Sequence, residues 1–477
     1  MIVQFTSLIT GLIFTLFITR NMSVEDFGLW SIIGNAISLS AFPAGVIYSW
    51  SIRAFARTEE VAKTSLVSGL LSIPLSIILF LFISLYGIDK FNLSIFILMF
   101  GILQLSSIIL FDIVKGLVYA TKPVWVGLSS LVFEFTKVGL AYILLTVNNI
   151  NVAWLLLILA FAYILQTSTL LYVIRDKFVD RIDLEKIKIW AKYSWVPILS
   201  TGVSKLWTSD TLFVAIILGT SFHIGLYQSA KVFFLIIAYS EIFLRVLYPR
   251  LLRDRSGSDI TSTLKFQLLF AMPMAIGSFI LAPEFLTVLG GGNKFLPAVQ
   301  ALQILSIVAI IEGIEHLMNF SLSGAEIADK NKLSFKSLKT SWLVKISLLD
   351  YLKSIIYFSI LFIVLIVFKD SNVLISAWAI AYAIPVLVFT ILKSFLTYKF
   401  IGYKFPLGTL KYVLSGLIMG SLLFIIKSMI NITGIFWTFC LIGLGATTYF
   451  SIVILIDVEV KFMVKRGISI ARNLQVS

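Results

Sequence analysis

The sequence predicts an all-α membrane protein that crosses the bilayer about fourteen times. Three observations predict it. Hydrophobic residues make up 59% of the 477 positions and charged residues only 13%, with a mean hydropathy of +1.02; a soluble domain carries nearer ~25% charged residues. Apolar runs of about 20 residues recur along the whole length, each long enough to cross a ~30 Å hydrocarbon layer. The runs are continuously apolar rather than alternating, which excludes a β-barrel.

Taken in order, the expected spans are residues 2–19, 27–50, 64–87, 92–114, 123–147, 152–174, 193–219, 225–248, 265–289, 297–322, 350–368, 373–397, 407–430 and 433–456. The connections alternate in charge. One set carries Arg53, Arg57 and Lys63, then Lys115 and Lys122, and then the basic stretch Arg175 to Lys192. It continues with Arg250, Arg253 and Arg255, with Lys330 to Lys345, with Lys399, Lys404 and Lys411, and with the basic tail. The opposite set is short and holds only Arg20, Lys90, Lys294, Lys369 and Lys427. The positive-inside rule then places both termini in the cytoplasm of a multi-pass protein of the cell membrane.

The net charge of +14 is mainly this loop signature together with contact with anionic lipid, and no nucleic-acid partner is expected. The chain enters its first apolar run at once, so no cleavable leader is expected. The single cysteine, Cys440, excludes a disulfide framework and a cysteine-based metal site. No cofactor or metal is expected. No Walker A pattern is present, which argues against ATP hydrolysis. The longest connection, Gly324 to Asp350, puts Leu338, Trp342, Ile346 and Leu349 on one face and reads as a helix lying on the cytoplasmic surface. Pro43, Pro74, Pro197, Pro273 and Pro385 fall inside spans, where each frees a backbone carbonyl and can kink its helix.

The informative residues are the polar ones inside the apolar runs. An ionisable group at bilayer depth costs about 2.5–3.5 kcal/mol on insertion scales, so by default it faces a protein interior or a water-filled cavity. The stretch from Val196 to Arg250 holds Lys205, Asp210, Lys231, Glu241 and Arg245. At helical spacing Thr201, Lys205, Thr208 and Ser209 align while Asp210 points elsewhere, and Tyr227, Lys231, Glu241 and Arg245 align on the next span. Ser31, Asn35, Ser38 and Ser49 form a stripe on the second span. On the fifth, Glu134 and Lys137 stand at i,i+3 and can pair. On the tenth, Glu312, Glu315 and His316 form a cluster able to bind a cation or a proton, or to be buried protonated. The hydroxyls taken alone read rather as interhelical packing, and Glu134–Lys137 and Glu241–Arg245 can be neutralising structural pairs. No acidic residue stands at i±3 or i±4 from Lys205 or Lys231 on their own spans. A cavity lined by Lys and Arg suits an anion such as phosphate.

Two stretches echo one another. Phe27-Gly28-Leu29-Trp30-Ser31 heads one apolar run and Ile224-Gly225-Leu226-Tyr227-Gln228 heads another, 197 residues later. Such a repeat is a common way to build a transporter from two similar halves.

Three motifs carry a resemblance to a known family: Arg20-Asn21-Met22-Ser23-Val24-Glu25-Asp26-Phe27-Gly28-Leu29-Trp30; Asp210 followed by Gly219 and Gly225-Leu226-Tyr227-Gln228-Ser229-Ala230; and Ala282-Pro283-Glu284-Phe285 through Gly290, with Phe295-Leu296-Pro297-Ala298 and Leu302-Gln303-Ile304-Leu305. They resemble the polysaccharide and lipid-linked oligosaccharide flippases (Wzx-like) of the MOP superfamily, which also includes the multidrug MATE exporters and the lipid II flippases. The resemblance implies two bundles of six helices in a V around a central cavity, plus two extra helices. The corresponding boundaries are 1–190, 191–400, 401–456 for the extra pair, and 457–477 for a basic cytoplasmic tail. It implies a transporter rather than an enzyme, working by alternating access on a polyprenyl-(pyro)phosphate-linked glycan for surface polysaccharide or glycoprotein synthesis.

Arg20, Arg53, Lys137, Lys205, Lys231 and Arg245 would line the phosphate and glycan cavity. Glu134, Asp210, Glu312, Glu315 and His316 would couple transport to a Na+ or H+ gradient. Further expected partners are membrane lipids and a glycan polymerase or glycosyltransferase machinery. The first competing reading is a MATE-like, cation-coupled exporter of small molecules, against which the lysines argue. The second is a membrane-embedded glycan ligase or polymerase, against which the short external loops argue. The Gly290-Gly291-Gly292-Asn293-Lys294 turn and the Gly324–Asp350 connection depart from the family pattern.

Overall fold

A computed structural model describes residues 2–56, 61–87, 89–147, 150–178, 181–192, 194–244, 257–324, 341–369, 371–429 and 434–462. The described chain is all helical. Eleven of its helices are long and apolar enough to cross a membrane, or twelve if one bent pair counts as a single span. The chain divides into two compact units, the first Met1–Gln228 with Asp350–Phe358 and Leu365–Lys369, the second Ser229–Leu349 with Ser359–Val364 and Asp370–Ser477.

The first unit holds α1 (Ile2–Asn21), α2 (Val24–Ser40), α3 (Phe42–Ala56), α4 (Ala62–Phe82), α5 (Ile95–Thr121), α6 (Pro123–Thr146) and α7 (Val152–Val173). It also holds α8 (Leu184–Lys192), α9 (Trp195–Trp207), α10 (Asp210–Leu218) and the start of α11 (Phe222–Ala238). Side-chain oxygens begin three of these helices: Ser23, Ser94 and Asn151 each accept a backbone N–H of the first turn of α2, α5 and α7. Ser65, Ser68, Ser72 and Ser76 recur along one side of α4 and are all buried, the small-residue spacing that lets membrane helices approach closely.

Two expected spans of the first unit are broken. The second bends by 48° between α2 and α3. Pro43 has no N–H to offer the carbonyl of Leu39, which accepts from Ala41 instead. The seventh span stops at Trp207 and restarts at Asp210. Thr208 Oγ1 bonds the carbonyls of Ser204 and Lys205, Ser209 Oγ bonds that of Leu206, and Asp210 Oδ1 accepts the N–H of Thr211. Three consecutive polar side chains thus compete with the helical ladder. α10 ends on Gly219 at φ +65, a conformation a side chain would strain.

The two openings that echo one another in the sequence meet in the fold. A Cβ on Gly28 would lie 2.0 Å from the carbonyl oxygen of Ser221, and one on Gly225 would lie 2.0 Å from that of Val24. The first turns of α2 and α11 therefore touch backbone to backbone, which only glycine permits.

The second unit contains most of α11, the 3-10 turn Tyr239–Phe243, α12 (Gly257–Ile280), α13 (Ala282–Gly290), α14 (Val299–Gly324), α16 (Leu374–Ile401), α17 (Leu410–Met429) and α18 (Ile435–Ile456). α15 (Trp342–Val367) is divided between the two units. The expected ninth span breaks at Leu281, just before Pro283. Pro74, Pro273 and Pro385 lie inside α4, α12 and α16, which continue through them. α14 packs on α16 and α12, and α12 on α17. Leu264, Leu268, Met272, Tyr412, Met419, Leu423 and Tyr449 form its apolar core.

The surface helix expected before Asp350 is corrected. Trp342, Ile346 and Leu349 belong to α15, continuous with the eleventh span; Leu338 lies outside the described residues. The short amphipathic helix is α8 instead, with Leu184 and Ile189 exposed beside Glu185, Lys186, Lys188 and Lys192. No alternation of loop charge distinguishes a helix from a coil, so α8 is hidden in what reads as a basic connection.

Candidate functional site

In the first unit two ion pairs lie within single helices, on α6 and on α5. On α6, Glu134 and Lys137 make an ion pair of 2.8 Å, both nearly buried. Thr10 of α1 donates to the same carboxylate at 2.8 Å, and the ammonium lies 5.0 Å from the ring centres of Phe14 and Phe133. Lys137 is thus held by a counterion and two aromatic faces. Lys115 and Asp112 on α5 form a second, half-exposed pair at 3.3 Å, with the ammonium over Phe111 and Tyr48.

Lys205, in the last turn of α9, donates to Ser38 of α2 at 2.9 Å and makes no ion pair among the described residues. It stands three residues before the break. The last turn of a helix favours a cation, and a half-buried ammonium bonded to a hydroxyl keeps two donors for an anion.

Beyond the break, Asp210 is fully buried. Its Oδ1 accepts from Thr211 N at 2.8 Å, and Tyr357 of α15 donates to its Oδ2 at 3.1 Å. Gln228 donates to Thr211 Oγ1 at 2.8 Å, closing this cluster. Lys353, also on α15 and buried, lies 4.0 Å from the centre of the Trp207 ring. Arg20 is exposed at the C-terminal end of α1, and Arg53 lies on α3.

In the second unit, Glu241, Glu312, Glu315 and His316 come together. His316 Nδ1 is 2.8 Å from Glu241 Oε2, and Nε2 is 4.0 Å from Glu312 Oε1. Tyr382 of α16 points its hydroxyl at both oxygens of Glu312, at 3.0 and 2.9 Å. Glu315 pairs with Lys393 of α16 at 2.6 Å, with side-chain exposures of 1% and 0%. The expected continuation of helix through Glu241 gives way to the 3-10 turn, which aims Glu241 at His316. Lys231 is half-buried on α11. Arg245 lies outside the described residues. No group of three His, Cys, Asp or Glu side chains is arranged to hold a metal ion among the described residues.

Sequence reasoning missed Asp112, Lys353, Tyr357, Tyr382 and Lys393. Lys353 and Lys393 carry the signal that singled out Lys205, a cation inside an apolar run. Tyr382, Thr390, Lys393 and Thr397 recur on the buried side of α16, a stripe visible in the sequence.

A third group lies at the end of the second unit. Asp457 is buried just beyond α18, accepts from Tyr412 at 2.7 Å and pairs with Lys411. Burial pushes its carboxyl up, but Lys411 and Tyr412 outweigh that and hold it below the usual carboxylate range.

No family model matches the sequence, and no curated protein matches it. Solved structures do. The fold is similar to that of the lipid II flippase MurJ in an inward closed conformation, with a TM-score of 0.69 at 16% identity over 95% of this chain and 97% of that one. It is also similar to an inward-facing multidrug resistance MATE transporter of the MOP superfamily, with a TM-score of 0.60 at 13% identity over 84% and 98% of the two chains. The MATE multidrug transporter DinF-BH gives 0.54 at 15% identity over 83% and 94%. The fold is the one these three structures share.

Proposed function

We propose that the chain is a flippase of the Wzx-like kind. It moves a polyprenyl-(pyro)phosphate-linked oligosaccharide from the cytoplasmic to the external leaflet by alternating access, for surface polysaccharide or glycoprotein assembly. The observation that carries this reading is the likeness to MurJ over 95% of the chain, where the MATE structures above cover 84% and 83%. In this reading α1 and the broken pair α9–α10 also cross the membrane, beside the eleven or twelve helices long and apolar enough to do so.

The chemistry of the first unit agrees with an anionic cargo. Glu134 with Lys137 and Asp112 with Lys115 cancel in pairs, which leaves Lys205 as the surplus cation of these five. A phosphate needs such a donor, because an unpaired anion in a medium of low dielectric is very costly. Arg20 and Arg53 of the same unit are its further phosphate partners in this reading, Lys231 is a separate candidate on the second unit, and both termini face the cytoplasm, where a glycan polymerase or glycosyltransferase machinery would supply the substrate. The chain acts as a transporter, not as an enzyme.

The test is transport in proteoliposomes of a fluorescent polyprenyl-pyrophosphate sugar by wild type, Lys205→Ala and Lys231→Ala. Wild type flips the lipid, and each variant, folded to the same degree, loses at least tenfold in rate, about 1.4 kcal/mol of lost phosphate binding. A wild type that leaves the lipid untouched and exports an organic cation instead refutes the reading. That outcome would establish the MATE-like exporter, which the three glutamates beside His316 and the MATE likeness favour.

A further inference from the structure

The starts of α2, α5 and α7 enclose a cavity of about 540 Å³ within the first unit. Small-molecule sites typically measure about 300–1,000 Å³. The lining has two tiers. Asp26, Ser94 and Asn151 form the first, one from the first turn or the cap of each helix. Leu29, Phe100 and Trp154 stand three, six and three residues further along the same helices and form the second. Six residues of helix span about 9 Å. Because α5 and α7 are long and apolar enough to cross a membrane, their caps mark the polar interface, and the aromatic tier reaches into the hydrocarbon. Phe96, also in the lining, is 59% exposed, so this tier opens sideways towards lipid.

The polar tier has bonding capacity left over. Asp26 Oδ2 accepts from Ser23 Oγ at 2.9 Å, which leaves Oδ1 for a ligand. Asn151 uses its side-chain oxygen on Trp154 N at 3.0 Å and keeps its amide N–H groups to donate. Ser94 Oγ accepts Ile97 N at 3.4 Å and keeps its O–H. The described lining holds one carboxylate and no cation.

These features select the occupant. An anionic headgroup would face Asp26 with no cation to compensate, and like charges brought together are costly. A wholly polar ligand would leave the aromatic tier without a partner. A zwitterionic lipid satisfies both tiers. Its ammonium donates to Asp26 in a charge-assisted hydrogen bond, and its phosphate accepts from Asn151 and Ser94. Its upper chains cover Phe100 and Trp154. The bond to Asp26 needs an N–H, which a primary ammonium has and a choline group lacks.

We propose that this cavity binds one phospholipid with a primary ammonium headgroup, such as phosphatidylethanolamine, its ammonium on Asp26 and its chains leaving past Phe96 and Trp154. In the proposed orientation the lipid belongs to the external leaflet. The site itself depends neither on that orientation nor on the transported cargo.

The test counts retained lipids by native mass spectrometry of the full-length protein, released from nanodiscs holding equal parts of phosphatidylethanolamine, phosphatidylcholine and phosphatidylglycerol. Wild type is expected to retain one phosphatidylethanolamine with a preference of about tenfold over either competitor. Asp26→Asn can still accept the Ser23 hydroxyl and loses that preference. Glu25→Gln, in the same turn of α2 but outside the lining, keeps it. A second measurement needs no variant: phosphatidylethanolamine bearing a diazirine high on one chain labels residues 94–100 and 151–154, and unlabelled phosphatidylethanolamine suppresses this better than phosphatidylcholine. Equal retention of the ethanolamine and choline lipids by wild type overturns the proposal, as does a preference for phosphatidylglycerol or one that Asp26→Asn leaves intact. Labelling suppressed by a soluble oligosaccharide also overturns it and makes the cavity a sugar site. A protein that retains the lipid and flips no glycan leaves this site standing and removes only the flippase reading.

Discussion

Replacing Lys393 with methionine removes the ammonium from a pair that has almost no access to solvent. Lys393 Nζ and Glu315 Oε1 are 2.6 Å apart, and the two side chains are 0% and 1% exposed. At an effective dielectric near 20 the attraction at that separation is about 6 kcal/mol. Desolvation of both groups offsets much of it, so the pair as a whole contributes little net stability. The asymmetry is what can be measured. Lys393→Met strands the Glu315 carboxylate in the interface of α14 and α16, and breaking such a pair costs about 3–5 kcal/mol. Lys393→Met with Glu315→Leu removes both charges together, so the double variant is expected to recover most of that loss. The assay is a double-mutant cycle by tryptophan-fluorescence melting in lipid nanodiscs. A Lys393→Met protein as stable as wild type refutes the reasoning, and so does a double variant whose loss is the sum of the single losses.

Two further outcomes follow from particular contacts. Gly28→Ala and Gly225→Ala each place a methyl 2.0 Å from a backbone carbonyl oxygen, so the first turns of α2 and α11 must separate; overpacking of this kind costs about 1–3 kcal/mol, and melting of each variant against Gly34→Ala, where a Cβ meets nothing within 4 Å, checks it. Asp457 has a depressed carboxyl, so its contribution is complete above its ordinary value of 3.8 and is lost as the pH falls through its lower folded value. Melting profiles of wild type should therefore drop below pH 3.8 more steeply than those of Asp457→Asn, and parallel profiles would show that the Lys411–Asp457 contact adds nothing.

The sequence by itself determined the class of molecule and which faces carry polarity. A run of apolar residues long enough for the bilayer becomes a helix because lipid offers its backbone no other partners. For the same reason an ionisable residue within the run marks an interior. Glu134 and Lys137 were legible as a pair because i,i+3 spacing brings them together within one helix. The repeated opening at Gly28 and Gly225 was legible as a repeat.

Only the tertiary structure decided who meets whom. Helical periodicity fixes the face a side chain presents but not the element packed against that face. Glu315 finds Lys393 seventy-eight positions away, and Glu241 finds His316 seventy-five away. The second of these needs the helix to tighten at Tyr239, a change that no spacing of apolar residues records. The break before Asp210 likewise depends on three adjacent polar side chains outcompeting the backbone ladder, and the buried carboxylate then needs Tyr357 from a helix far along the chain. The touching glycines complete the pattern: their identity is written in the sequence, but their contact exists because packing brings the start of α2 against the start of α11, where any larger residue would hold the two backbones apart.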